Sequence, residues 1–203
     1  TVEEKPEPYF DPYVDGHFLM QFTAQLAYPL FYMDFETVMY GVPEFDSSSP
    51  YQQIPFQFSG HIVRKLGRKP EHTAYLGDGS ADPRPEFIKA LIEAVPDYGS
   101  IIVYNVGFER SCIKKLAENF PDYAQALLAI SERMVDLMIP FRNKSICFHA
   151  FGGSYSLKKV LPTLVPSLKY SALEIQEGGT ASFVYSQLQY QDDETRALQR
   201  QQL

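Results

Sequence analysis

Cysteine is scarce in this chain. Cys112 and Cys147 are its two cysteines in 203 residues. They form no Cys-x-x-Cys pair and no histidines cluster beside them, so the sequence indicates neither a zinc site nor a disulfide framework. No apolar run is long enough to cross a bilayer, and no basic segment followed by an apolar one stands at the N-terminal end, as a secretory signal would require. These absences together predict a protein of the reducing cytoplasm. Positive charge is also in deficit: 18 lysines and arginines face 25 aspartates and glutamates, for a net charge of −7. That is the wrong sign for a protein that wraps nucleic acid in a basic surface. It leaves room for one that holds a polyanion through bound metal ions and a local basic groove. Arg64, Lys65, Arg68 and Lys69 form one candidate segment for such a groove, and Arg142, Lys144, Lys158 and Lys159 another.

What is present points to one α/β domain, since 45% hydrophobic composition supplies a substantial core for a chain of this length. Residues 1–13, rich in Glu, Lys and Pro, read as a poorly ordered leader or linker, which leaves 14–203 for the domain. Phe18, Phe22 and Leu26 recur four apart, so a short amphipathic helix is expected within Val14–Leu26. The apolar run Pro29-Leu30-Phe31-Tyr32-Met33 opens a strand, and the Gly-, Pro- and Ser-rich stretch Tyr40–Gln53 makes a surface loop whose aromatic residues could stack on a base. Alternation through Phe56 and Phe58, then Tyr75-Leu76, completes a meander of three strands. Asp82-Pro83 starts a helix that runs to about Val95, and Ser100–Tyr104 is a continuous apolar run of the kind buried on both faces. Phe108, Cys112, Leu116 and Phe120 define the next helix, Met134–Met138 a further short strand, and Ser154–Leu164, Ala181–Leu188 and Glu194–Leu203 three more helical stretches. The expected architecture is a mixed central sheet of about five strands flanked by helices.

The strand that opens at Leu30 ends on Asp34-Phe35-Glu36. Side chains alternate along a strand, so Asp34 and Glu36 share one face while Phe35 enters the core. Two carboxylates held that close repel and raise each other's pKa unless a cation lies between them. A divalent metal answers the need, and hard oxygen ligands suit Mg²⁺ or Mn²⁺. Solvated acids at a strand end are the alternative. A second feature is Val103-Tyr104-Asn105-Val106-Gly107-Phe108-Glu109, a strand running through a polar turn into a helix with an acid in its first turn. Glu109 there either complements the helix dipole or adds a third ligand.

Phe31-Tyr-Met-Asp-Phe-Glu-Thr37 resembles the first motif of the DnaQ-like, or DEDD, 3′–5′ exonucleases of the ribonuclease H-like superfamily. Asn105 and Phe108-Glu109 resemble the second motif, with Glu109 standing where that family usually has Asp. Asp136 resembles an acid that supports the site in many such domains, and Tyr155-Ser-Leu-Lys-Lys-Val-Leu161 a segment leading to the third motif. The order βββαβα is also that of the superfamily. More narrowly, Tyr28–Thr37, Pro50–Ser59 and Gly152–Pro162 look like an uncharacterised bacterial family known as a domain of unknown function, carried at the C-terminal end of longer proteins. The resemblance, which spans roughly residues 29–190, implies two-metal hydrolysis at the 3′ end of DNA or RNA. Asp34 would bridge both ions, Glu36 would hold the ion that activates water, and Glu109 would support the second ion through water.

The third motif, a His or Tyr followed four or five residues later by Asp, is missing. Tyr190 precedes Asp192 and Asp193 too closely, so these two acids are possible substitute ligands. The domain is therefore expected to be truncated before that motif, with an upstream domain in a longer protein. A chain of residues 1–203 is expected to bind metal weakly and to cleave little. The alternative function is a catalytically inactive nucleic-acid-binding or docking module of the same fold, with a structural domain carrying a chance Asp-x-Glu ranked last.

Overall fold

The computed structural model describes residues 12–168, 178–200 and 203. In chain order its elements are β1 (Tyr13–Val14), α1 (Gly16–Ala24), β2 (Leu30–Val38), β3 (Ile54–Val63), β4 (Glu71–Leu76), α2 (Arg84–Ala94), β5 (Ser100–Val103), α3 (Val106–Asn119), α4 (Ala124–Glu132), β6 (Met134–Asp136), α5 (Ile139–Arg142), β7 (Ile146–Cys147), α6 (Leu157–Leu164), α7 (Gly178–Gln187) and α8 (Asp193–Arg200). The chain divides into two compact units, one from residues 1–25 and 137–170, the other from 26–136 and 171–203.

The smaller unit is built on a two-stranded antiparallel ribbon in which Tyr13 pairs with Cys147 and Val14 with Ile146. Tyr13 thus lies in a strand, although residues 1–13 are expected to be a leader; residues 1–11 fall outside the described residues. Asp15 caps α1 by accepting a hydrogen bond from Phe18 N at 2.9 Å, which satisfies one of the free amides of the first turn. Phe151 gathers Phe141 and Phe148 around it at ring-centroid distances of 6.1 and 5.2 Å.

The larger unit is α/β. Its five strands lie in the order β4-β3-β2-β5-β6, with β2, β3 and β4 antiparallel and β2, β5 and β6 parallel. Links without helices, the long loop 39–53 and the hairpin 64–70, join the antiparallel neighbours β2, β3 and β4, whereas α2 and then α3 with α4 carry the chain across to the parallel strands. Phe31, Met33 and Phe35 on one face of β2 join Phe58, Ile101 and Val103 from the sheet, Phe87 and Leu91 of α2, Ile113 and Leu116 of α3 and Leu127 of α4 in the main core. Phe87 is its centre, meeting Phe35, Phe58 and Tyr75 edge-on at 5.1, 5.6 and 5.9 Å. A second core on the opposite face joins Val38, Ile54 and Phe56 to Ala181, Tyr185 and Leu188, with Phe56 stacked on Tyr185 at 3.9 Å. A β-bulge between Glu36 and Thr37 places Gln57 opposite Glu36 and Pro55 opposite Thr37, so Phe56 is the extra residue.

Arg84, 1% exposed, opens α2. Its guanidinium is forked onto Asp82 and donates to Asp46 O at 2.7 Å, between the rings of Phe45 and Phe120. Asp82 also accepts from Arg84 N at 3.0 Å, although Pro83, not Asp82, is the N-cap residue of α2. Differences from expectation are local. Ala124–Glu132 is an additional helix, β4 starts at Glu71 because its first residues pair with β3, and α6 begins at Leu157 rather than Ser154. Both cysteines are free, Cys112 buried and Cys147 exposed. Among the described residues no helix is long and apolar enough to cross a membrane.

Candidate metal centre

Alternation on β2 sets Tyr32, Asp34 and Glu36 on the face opposite Phe31, Met33 and Phe35. Asp34 is exposed and Glu36 half-buried. Although an edge of Asp34 reaches solvent, the surrounding protein displaces enough water to raise its pKa, and the bond it accepts from Phe35 N at 3.1 Å acts in the opposite direction. Glu36 is raised by burial and then by the charge of Asp34. Glu109 enters from the first turn of α3, where it is 2% exposed. Burial pushes its carboxyl up to about 7, the charges of Asp34 and Asp136 add to that, and its own backbone amide opposes it. Its Oε2 is buried and has no hydrogen-bond partner.

The start of α3 is fixed by Asp136. Asn105 adopts the left-handed conformation, φ 74°, which Asn tolerates better than most residues. Its amide donates to Oδ1 of buried Asp136 at 3.0 Å, tying the turn after β5 to the end of β6. The Asn105 side chain itself is exposed. The structure thus brings Glu36 within electrostatic reach of Asp34, and Glu109 within reach of both Asp34 and Asp136, around the ends of β2, β5 and β6.

Asp192 has a different role. Its two oxygens accept from Thr195 N at 2.9 Å and Thr195 Oγ1 at 3.0 Å, which caps α8 and lowers its pKa. The side chain of Asp193 lies outside the described residues. Arg64, Lys65, Arg68 and Lys69 do come together, with Gly67 and Glu71, around a hollow of about 540 Å³ on the link between β3 and β4. Arg142, Lys144, Lys158 and Lys159 belong to the other unit. In the loop after β2, Tyr40 packs edge-on against Phe45 at 5.8 Å and Tyr51 is exposed.

The donor set suits a hard divalent cation in three respects. All its donors are carboxylate oxygens, the orphaned Glu109 Oε2 lacks a partner, and none of Asp34, Glu36 and Glu109 has an ion-pair partner among the described residues. Spacing limits the fit: among the described residues no three His, Cys, Asp or Glu side chains are set to hold one ion together. Asp34 and Glu36, neighbours on one face of β2, and the buried Glu109 are therefore candidate ligands that the described geometry does not bring together around one ion. Sequence reasoning missed the row formed by Tyr32, His61 and His72, because only the pairing of β2, β3 and β4 aligns them.

Fold and site together define an α/β domain that gathers uncompensated carboxylates at one end of a mixed five-stranded sheet. The chain belongs to the family described as a domain of unknown function (DUF2779), which it matches over residues 31–156. It is 30% identical over 168 residues to the uncharacterized protein MG366 homolog of Mycoplasma pneumoniae, covering 74% of this chain and 25% of that protein. It is likewise 30% identical over 177 residues to the uncharacterized protein UU173 of Ureaplasma parvum, covering 76% of this chain and 25% of that one. The chain thus spans about a quarter of the length of both relatives. No solved structure matches it.

Proposed function

We propose that the larger unit is a ribonuclease H-like, metal-dependent 3′–5′ exonuclease that hydrolyses phosphodiester bonds of DNA or RNA. The observation that carries this reading is the buried, partnerless Oε2 of Glu109 within electrostatic reach of Asp34, itself within reach of Glu36, three raised carboxyls without an ion-pair partner among the described residues. The element order β2-β3-β4-α2-β5-α3 supports the fold assignment, since it is the βββαβα order of the resemblance. Asp34 and Glu36 would hold Mg²⁺ or Mn²⁺ directly, and Glu109 would do so through water. Bound divalent ions lower the pKa of an attacking water and offset charge on the leaving 3′ oxygen. Asp136 acts by positioning, since its hydrogen bond to Asn105 N sets the first turn of α3 and so the reach of Glu109. Burial of Glu109 raises its carboxyl to about 7, so near neutral pH a proton would compete there with a bound cation.

A second reading, a nucleic-acid-binding or docking module without chemistry, is favoured by the absence of a three-ligand group among the described residues. Mn²⁺ titration by calorimetry, run beside release of nucleotides from labelled single strands, separates the two. Metal binding with cleavage selects the enzyme, and strand binding without metal selects the module. Asp34→Ala is expected to abolish metal-dependent release; an unchanged rate removes Asp34 from the mechanism.

A further inference from the structure

Three aromatic side chains stand in line across the sheet. Pairing sets Tyr32 of β2 opposite His61 of β3, and His61 opposite His72 of β4. All three are exposed, and the two imidazole rings lie 4.7 Å apart between centroids. Two residues further along the same strand face, Asp34 stands opposite Ser59, whose Oγ is 3.3 Å from His72 Nε2. In the other direction β3 runs into the hairpin that carries the basic hollow. There Arg64 is held by Glu71 through two hydrogen bonds of 2.8 and 2.7 Å. Lys65, Arg68 and Lys69 are exposed and have no carboxylate partner among the described residues. From Ser59 to Arg64, at about 3.3 Å per residue, the file spans about 17 Å.

We propose that this file is a docking track for single-stranded nucleic acid, running from the hairpin cations over the Tyr32–His61–His72 row to the carboxylates. The inference rests on the proposed function and adds to it the form of the substrate. Three uncompensated cations on a chain of net charge −7 make a local site for a polyanion, and each phosphate they neutralise releases a counterion. Exposed rings set across the track accept an unpaired base, whatever its sequence, by stacking where the strand crosses them. A duplex keeps its base faces within its own stack and has no use for the rings. An anionic lipid surface would engage the hairpin tip, where Leu66 is 87% exposed, but not rings set back along the strands.

The test is binding of fluorescent oligothymidylates in a chelator, so that neither metal nor cleavage enters. Lys65→Glu/Arg68→Glu/Lys69→Glu is expected to weaken binding about tenfold or more and to lower the slope of log K against log salt by about 2, from about 0.7 per lost phosphate contact on a single strand. His61→Ala/His72→Ala is expected to weaken binding about tenfold with the salt slope unchanged. Affinity should rise with length from the dinucleotide and level off once the strand spans the track. All five side chains are exposed, so melting curves should match the wild type and show that each variant is folded. The inference is overturned by wild-type binding in the hairpin variant, by an abasic phosphodiester strand binding as well as oligothymidylate, or by anionic vesicles outcompeting the oligonucleotide. Binding on this pattern without any Mn²⁺-dependent cleavage supports the track and favours the strand-binding module; cleavage that survives both variants refutes the track alone.

Discussion

Glu109→Gln is expected to make the metal-free protein more stable, and only above mildly acidic pH. In the unfolded chain the Glu109 carboxyl ionises near 4.5, and in the folded protein at about 7. A folded pKa above the unfolded one means that the folded state holds the proton over a wider range. The stability this group contributes is therefore complete below pH 4.5 and is lost as pH rises through 7. The gap, 7 − 4.5, at about 1.4 kcal/mol per pH unit, amounts to about 3 kcal/mol by pH 8. Glutamine keeps the shape and cannot ionise. Urea or thermal unfolding in chelator should find the two proteins alike near pH 4.5 and the variant more stable by about 3 kcal/mol at pH 8, about 6–12 °C in Tm for a chain of this size. Asp34 and Glu36 are raised in both proteins, so their contributions largely cancel in the difference. Mn²⁺ at pH 8 should raise the wild-type midpoint by mass action and the variant's by less. Parallel pH profiles for the two proteins would refute the reasoning.

Two substitutions away from the carboxylates test the frame that holds them. Arg84→Ala should cost about 3 kcal/mol in urea unfolding, because it removes the bonds to Asp82 and Asp46 O and empties the buried space between Phe45 and Phe120; a loss below 1 kcal/mol, within the range of an exposed pair, would contradict the buried fork. Gly99→Ala should cost about 3 kcal/mol, since Gly99 has φ +92° and an added Cβ would lie 2.1 Å from Pro29 O, where backbone meets backbone just ahead of β2 and β5. Retained stability in that variant would show that the two segments can part.

Much of the sheet was legible because strand period and turn residues are local. Phe31, Met33 and Phe35 alternate with Tyr32, Asp34 and Glu36, and that pattern alone gives the two faces of β2. The beginning of α3 was legible to within two residues from Asn105 and Glu109. What stayed hidden depends on contacts distant in sequence. The ribbon of β1 and β7 joins pairs of residues too short to carry periodicity, and α4 lacks a side-chain cap, its start following directly on the turn at Pro121–Tyr123. At Glu109 the sequence offers a helix-dipole acid and a ligand equally; burial and the orphaned Oε2 are tertiary facts. Asp192 looks like a spare ligand until Thr195, three residues on, takes both its oxygens. The row of Tyr32, His61 and His72 required strand register, which no single segment encodes.

The bulge at Glu36 acts as a phase shifter for the whole end of the sheet. By adding Phe56 to β3, it turns one more aromatic ring toward α7, next to Gln57, whose Nε2 donates to Leu203 O at 2.8 Å. The acidic end of β2 and the apolar seat of α7 thus share one counting of residues. Deleting Phe56 would return β3 to unbroken alternation with Ile54 still opposite Val38, but would remove the ring that stacks on Tyr185 and so take away part of the seat of α7. A length change between Ile54 and Gln57 therefore reaches the seat of α7, in contrast to one in the loop Tyr40–Gln53, where added residues would leave the phase of both strands untouched. A lineage can lengthen that loop outside Phe45 and Asp46, which hold Arg84, whereas a change at the bulge reaches the acidic strand and the helix together.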